Sequence, residues 1–336
     1  MPLLFCDQKS GDWTGIVPPL VDGEELVDDE QLQALLEVSA STTTEWAQLL
    51  EIVPVPDEAP GTRVLFVKEG EMAMNVDLSA FDFIGTDDAT TCHALLVQNR
   101  ANQRGSVAHI DSPERCEGLR DLLSSMGEDL DVHVLGGLLH DPLSIDVLLC
   151  LLLEMHSSRA RCHVRALCVQ SLNHDASRST PERPFPAFYG AGFCRRREID
   201  GGVLSPDILC MSAAPMHFPL AARGPSSLLR RCACFQPDAG PALDVVYDGA
   251  SAEPRFRLVF RPSAADVETV DYLLALDDAA LLEASSTSPH CEPPWFAAQV
   301  REVLEFCRDP GALERSFQGK GVLEFVPLAE GGWATV

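Results

Sequence analysis

The sequence predicts an α+β fold of packed layers, on three observations. The chain has 336 residues and 46% of them are hydrophobic, enough for a sizeable core. Short apolar runs of strand length recur between polar or glycine-bearing connections. Helical segments stand among them without the regular strand–helix–strand rhythm of a doubly wound parallel sheet. No internal repeat is visible, so one domain over residues 1–336 is expected.

Taken in order, residues 30–51 (EQLQALLEVSASTTTEWAQLLE) carry apolar positions at helical spacing and predict an early helix. A strand series follows in TRVLFVKE, EMAMNVDLS, FDFIG, TCHALLVQN and SVAHID, consistent with an antiparallel meander. GLRDLLSSMG predicts a short helix, DVHVLGGL a buried strand, and PLSIDVLLCLLLEMH a helix opened by Pro142. HVRALCVQSL and FPAFYGAGF predict strands joined by the polar loop NHDASRSTPERP. RGPSSLLRRCAC reads as helical with a solvated basic face, and DVVYDGASAEPRFRLVF as a hairpin. DDAALLEASS and PPWFAAQVREVLEFCRD predict two helices, and GKGVLEFVPL a closing strand.

Charge narrows the partners. With 51 Asp+Glu against 25 Lys+Arg, the formal charge is −26, which repels phosphate backbones and anionic membrane surfaces. Neither nucleic acid nor membrane is an expected partner. An acidic surface keeps a protein soluble, and it also attracts cationic ligands such as a peptide with a free α-amine. The 12 cysteines are scattered, several inside apolar runs, with no CxxC pair; Cys232 and Cys234 form the only close pair. That pattern argues against a disulfide framework and against structural zinc. The opening MPLLFCDQKSGDW is too acidic and too short in apolar run for a signal peptide. The longest apolar run, Val147 to Leu153, falls far below the ~18 residues of a membrane span. A reduced, cytoplasmic protein, with the nucleus as a further location, is expected, and a monomer is the simplest oligomeric expectation.

The stretch FDFIGTDDATTCHALLVQN concentrates the chemistry. A strand exits through Gly85 into Thr86-Asp87-Asp88-Ala89-Thr90-Thr91, and Cys92-His93 opens the next apolar run. A thiol held at a strand start, behind a turn rich in hydroxyls and carboxylates, suits a nucleophile. A cysteine entering an apolar run is, however, more often a small buried hydrophobe. Thiolate chemistry also needs a base. On a strand, His93 points away from Cys92. His109, one hairpin downstream, returns close to Cys92, with the hairpin register deciding whether it faces the thiol. His133, His140 and His163 sit in other elements.

The block GTDDATTCHALLVQ resembles the signature of the protein N-terminal asparagine amidohydrolases. The opening MPLL, DVHVLGG, RGPSSLL from Arg223 and TSPHCEPPWF (Thr287 to Phe296) resemble further family segments in the same order; the loop Ser177 to Pro186 and the extra cysteines depart from it. The resemblance implies hydrolysis of an N-terminal Asn side-chain amide to Asp, with Cys92 as nucleophile, feeding the arginine branch of the N-degron pathway and ubiquitin-dependent degradation. A more distant resemblance, to chemoreceptor glutamine deamidases and cytotoxic-necrotising-factor toxins, implies a layered α/β/β sandwich, with His109 as base and Thr86 orienting it. Recognition of the α-amine calls for a carboxylate; Asp87, Asp88 and Asp111 are the nearest in sequence, and each equally suits a turn cap. Removal of Met1 exposes Pro2, which either packs near the site or frays. No cofactor is expected, because thiol-based amide hydrolysis needs neither metal nor nucleotide. Two alternatives remain: a deamidase of internal Gln or Asn side chains, and an inactive interaction protein of the degradation machinery.

Overall fold

The computed structural model describes residues 3–6, 13–16, 62–99, 101–194, 208–212, 218, 223–224, 226–234, 244–249, 254–259, 267–318, 320–328 and 332–336. Pro2 and the helix expected over 30–51 lie outside the described residues.

The described strands are β1 (Leu3–Cys6), β2 (Trp13–Ile16), β3 (Val64–Phe66), β4 (Glu71–Asp77), β5 (Phe83–Thr86), β6 (His93–Asn99), β7 (Arg104–Ile110) and β8 (Asp129–Gly136), then β9 (Arg161–Val169), β10 (Gly190–Cys194), β11 (Ile208–Ser212), β12 (Asp244–Asp248), β13 (Arg255–Val259), β14 (Val322–Pro327) and β15 (Trp333–Thr335). The helices are α1 (Leu119–Met126), α2 (Pro142–Ser157), α3 (Ser227–Cys234), α4 (Val267–Ala275), α5 (Asp278–Ser285), α6 (Phe296–Cys307) and α7 (Pro310–Ser316). The fold is mixed α+β, as its composition and rhythm predict. None of the described helices is long and apolar enough to cross a membrane.

Eleven strands form one sheet in the order β15-β14-β13-β12-β4-β7-β6-β8-β9-β1-β2, and four form a second, β11-β10-β5-β3. The expected meander survives only as β4-β7-β6, paired antiparallel. The TRVLFVKE and FDFIG strands leave it for the second sheet, where β3 and β5 pair in parallel. The pairs β8–β9 and β12–β4 are parallel too. A strand buried on both faces is equally apolar in either sheet, so its sequence does not announce its neighbours.

Alternation along the central strands sorts side chains onto two faces. Leu95, Val97, Ala108, Ile110, Val132 and Val134 join the core covered by α1 and α2. Ala94, Leu96 and Val107 face the second sheet and meet Ile84, Ala191 and Phe193. Helices therefore cover one face of the large sheet and the small sheet covers the other. Each fully buried aliphatic or aromatic side chain contributes roughly 1.5–3 kcal/mol. Helix α2 starts where its sequence predicts: Pro142 occupies the first turn, and the Asp141 carboxylate accepts the Ser144 N–H at 2.7 Å. Helix α4 went unpredicted because most of its residues are exposed and Val270 is its only buried residue, too thin a stripe to read.

Candidate active site

The β6–β7 hairpin settles the register. Ala94 lies directly opposite His109, so Cys92, two residues before Ala94, is a diagonal neighbour of His109 on the same face. That face looks toward the second sheet. His93 points the other way, beneath the helices, as strand parity requires, and is wholly buried. Thr86 ends β5 in the second sheet, and its Oγ1 lies 2.7 Å from His109 Nδ1. This hydrogen bond spans the two sheets. It leaves His109 Nε2 without a hydrogen-bond partner among the described residues, although the ring is only 1% exposed.

Cys92, Thr91, Asp88, Glu69, Glu292 and His109 line one cavity of about 330 Å³. No hydrogen bond joins the imidazole and the thiol; the thiol points at Glu69 Oε1, 4.0 Å away. Glu69 stands in a tight turn at the end of the β3 segment. Gly70, at φ +73°, donates its N–H to the His109 carbonyl at 3.0 Å, which hangs that turn on the base's own backbone. The glycine between two carboxylates in KEGE was the signal for this residue, and sequence reading passed over it.

Behind the thiol, the Gly136-Gly137 pair holds the strand start. The Gly137 N–H donates to the Cys92 carbonyl at 2.9 Å. Gly136 has φ +116°, and a Cβ there would stand 2.3 Å from the Cys92 carbonyl oxygen. Gly136→Ala is therefore expected to strain the backbone by about 1–3 kcal/mol and to displace Cys92. Thermal melting and peptide turnover should fall together; an alanine variant matching the wild type in both contradicts this packing. The residues before the thiol are fastened as well. Ser144 Oγ donates to the Thr91 carbonyl at 2.6 Å, tying the turn to the start of α2. Ser288 Oγ donates to Thr90 Oγ1 at 2.7 Å, and Thr287 Oγ1 lies 3.0 Å from Thr91 Oγ1. The TSPHCEPPWF block thus packs on the DDATTCH block and brings Glu292 into the cavity.

The three aspartates proposed for amine binding are engaged by arginines. Arg223, from the RGPSSLL segment, donates to Asp87 Oδ2 at 2.7 Å and to Asp88 Oδ2 at 2.8 Å. The Phe218 N–H also reaches Asp87 Oδ2, at 2.8 Å. Asp88 adopts φ +61°, which an aspartate tolerates. Asp111 lies at the end of β7 with Arg115 Nε at 3.6 Å. Deeper, Arg230 is 1% exposed and ion-pairs Glu71. Among the described residues no group of three or more His, Cys, Asp or Glu side chains is placed to hold a metal.

Burial sets the protonation states. It pushes the Cys92 thiol well above its ordinary range, and the Glu69 and Asp111 carboxylates add to the rise. Burial lowers His109 to about 4 and His93 to about 3, and raises Glu292 to about 7. His133 is likewise lowered to about 3, first by burial and then by Arg165. Three histidines are thus neutral when folded and take up protons only on unfolding. Between pH 6.5 and about 4 the unfolded chain binds more protons at these sites, so they make stability fall as pH drops. Glu292 acts with the opposite sign, its contribution fading as pH rises from 4.5 to 7. Asp111, also raised by burial, adds to the glutamate's side, but the three histidines prevail near pH 5, so stability is expected to fall from pH 7 to pH 5. Urea unfolding at pH 7 and pH 5 measures it; equal stability at both contradicts the assigned states.

A thiol and an oriented imidazole sharing one cavity suit amide-bond hydrolysis, and the sequence comparisons agree. The profile described as protein N-terminal asparagine amidohydrolase matches residues 56–335. The protein N-terminal asparagine amidohydrolase of Mus musculus is 27% identical over 331 residues, covering 95% of this chain and 98% of that protein. Its Homo sapiens namesake is 27% identical over 284 residues, covering 81% and 84%, and that of Arabidopsis thaliana 26% identical over 302 residues, covering 81% and 80%. The chain is thus a hydrolase acting on amide bonds. It belongs to the protein N-terminal asparagine amidohydrolase family.

Proposed function

We propose that this protein hydrolyses the side-chain amide of an N-terminal asparagine, in peptides and proteins, to aspartate and ammonia through a thioester on Cys92. Family membership supports the substrate class. The observation that carries the mechanism is the 2.7 Å Thr86–His109 hydrogen bond, which leaves Nε2 of a neutral ring available in the cavity that Cys92 lines. With Nδ1–H donating to Thr86 Oγ1, Nε2 holds the lone pair that accepts the thiol proton. The thiolate attacks the asparagine Cγ, and nearby backbone N–H groups stabilise the oxyanion, an effect of roughly 3–4 kcal/mol per donor in comparable sites. His109 returns its proton to the departing ammonia, then deprotonates the water that cleaves the thioester. For this transfer the thiol turns from Glu69 toward His109 Nε2, a catalytic hydrogen bond that bound substrate tightens.

Within this reading the product aspartate enters the arginine branch of the N-degron pathway and ubiquitin-dependent degradation, in the cytoplasm and nucleus, with the chain acting as a monomer of one domain. The helix–sheet–sheet layering and the inter-sheet Thr86–His109 bond support a kinship with the chemoreceptor-deamidase architecture. Thr86→Val is expected to lower kcat by about 10–100-fold while leaving KM within a few-fold, since it acts through the base; steady-state kinetics checks this.

The function itself is tested by ammonia release from an Asn-initiated peptide, from its N-acetylated form and from its Gln-initiated counterpart. Turnover of the free Asn peptide alone is expected. Asn and Gln differ by one methylene, which a pocket discriminates by only ~1–3 kcal/mol, so Gln rejection needs a closed cavity end. Comparable turnover of the acetylated peptide would point instead to a deamidase of internal side chains.

A further inference from the structure

We infer that Ser144 is a positioning residue for the reaction: its hydroxyl turns the Thr91–Cys92 peptide so that the Cys92 N–H meets the oxyanion. The inference rests on the reaction proposed above and names the backbone donor that reaction requires, together with the side chain that aims it.

Ser144 stands in the first turn of α2, behind the Asp141 cap, and is fully buried. A hydroxyl in such a place must find its partners within the protein. Its oxygen accepts the Leu138 N–H at 3.1 Å, and its one proton goes to the Thr91 carbonyl at 2.6 Å. Leu138 follows the Gly136-Gly137 pair, whose Gly137 N–H holds the Cys92 carbonyl at 2.9 Å. The two peptide units flanking the Cys92 Cα are therefore both fixed through their carbonyls. Only the first of them is held by a side chain.

A trans peptide unit points its C=O and its N–H in opposite directions. The Thr91 carbonyl is directed at the start of α2, which covers the face of the large sheet opposite the thiol. The Cys92 N–H is thereby turned to the thiol's own side, in the cavity that Thr91 and Cys92 line. It has no hydrogen-bond partner among the described residues, an uncommon state for the backbone of a residue only 7% exposed. A fixed, unused donor beside the attacking sulfur fits an oxyanion hole. As the S–Cγ bond forms, the π pair of the substrate amide moves onto its oxygen, which accepts the Cys92 N–H. The pair returns to the carbonyl when the C–N bond breaks and ammonia leaves with the proton from His109. Without the Ser144 hydroxyl the Thr91 carbonyl loses its anchor, the peptide plane rotates, and the N–H no longer meets that oxygen squarely.

The test combines steady-state kinetics with aldehyde binding in the full chain. A peptide whose N-terminal residue is aspartate β-semialdehyde carries an aldehyde in place of the amide. The Cys92 sulfur adds to its carbon and leaves a tetrahedral oxygen where the oxyanion would form. Ser144→Ala is expected to lower kcat for Asn peptides by about 100-fold and to weaken aldehyde binding by a similar factor, the scale of a misplaced oxyanion donor. KM should stay nearly unchanged, and so should the rate of iodoacetamide labelling of Cys92, because alkylation builds no oxyanion. Leu151→Ala, in the same helix but buried in the core, should lower the denaturation midpoint and leave kcat as it was. In the wild type labelled with 15N-cysteine, the Cys92 amide proton, assigned by its loss in Cys92→Ala, should move downfield as the aldehyde adduct forms. That measurement needs no change at Ser144 and decides the matter even where Ser144→Ala does not fold. A Ser144→Ala protein with wild-type kcat, a Leu151→Ala protein that loses kcat equally, or an amide proton that does not move with the adduct overturns the inference. A wild type that leaves Asn peptides intact, yet shows the downfield shift and loses aldehyde affinity in Ser144→Ala, overturns the proposed substrate and keeps the role of Ser144.

Discussion

Replacing Cys92 by alanine is expected to lower kcat for an Asn-initiated peptide by about 10⁴-fold or more, the scale seen when a covalent nucleophile is removed. His109, Thr86 and the cavity act through the thiol, so the double variant Cys92→Ala, His109→Ala should be scarcely slower than Cys92→Ala alone. The substitution removes one buried sulfur, 7% exposed, and leaves the loop fastened through Thr90, Thr91 and the Cys92 backbone. Stability should therefore change little. Ammonia release under single-turnover conditions checks the rate, and a Cys92→Ala protein within tenfold of wild type removes the thiol from the mechanism.

The second large effect concerns stability. Arg223→Ala is expected to destabilise the fold by about 3–5 kcal/mol, because it strands a buried carboxylate. The Asp87 side chain is fully buried, and Arg223 meets it at 2.7 Å while reaching Asp88 at 2.8 Å. The same guanidinium donates to the Phe218 carbonyl and lies 4.6 Å from the Phe66 ring centroid. Losing it frees the turn that carries Thr86 to Cys92, so turnover should drop along with the denaturation midpoint. A paired substitution, Arg223→Met with Asp87→Asn, is expected to recover part of the stability by removing the isolated charge. Denaturant titration of the three proteins decides this, and full stability in Arg223→Ala contradicts the buried pair.

Much of the site was legible because its chemistry is local in sequence. The turn from Thr86 to Cys92 announces itself through hydroxyls and carboxylates before an apolar run, and strand parity excluded His93 from its residues alone. Facing was not legible for His109, since it depends on how the β6–β7 loop sets the register; the Ala94–His109 pair resolves it. Long-range partners were out of reach for a similar reason. Nothing near Asp87 in sequence says that an arginine 136 residues on will pair with it. Glu69 and Glu292 also line the cavity, although they arrive from a short turn and from a segment far along the chain. In the fold, the strands from β3 to β10 and β12 to β14 were readable from apolar runs, whereas β1, β2, β11 and β15 were not. Nor was the division between two sheets readable, because burial on both faces looks alike in either.

Hydroxylamine trapping probes the covalent bond between Cys92 and the asparagine Cγ most directly. With hydroxylamine present, wild-type turnover of an Asn-initiated peptide should divert product from aspartate to the β-hydroxamate in proportion to the nucleophile, while Cys92→Ala makes none. Aspartate alone, formed at an undiminished rate of ammonia release whatever the hydroxylamine concentration, would mean that water attacks the amide directly and that no thioester exists.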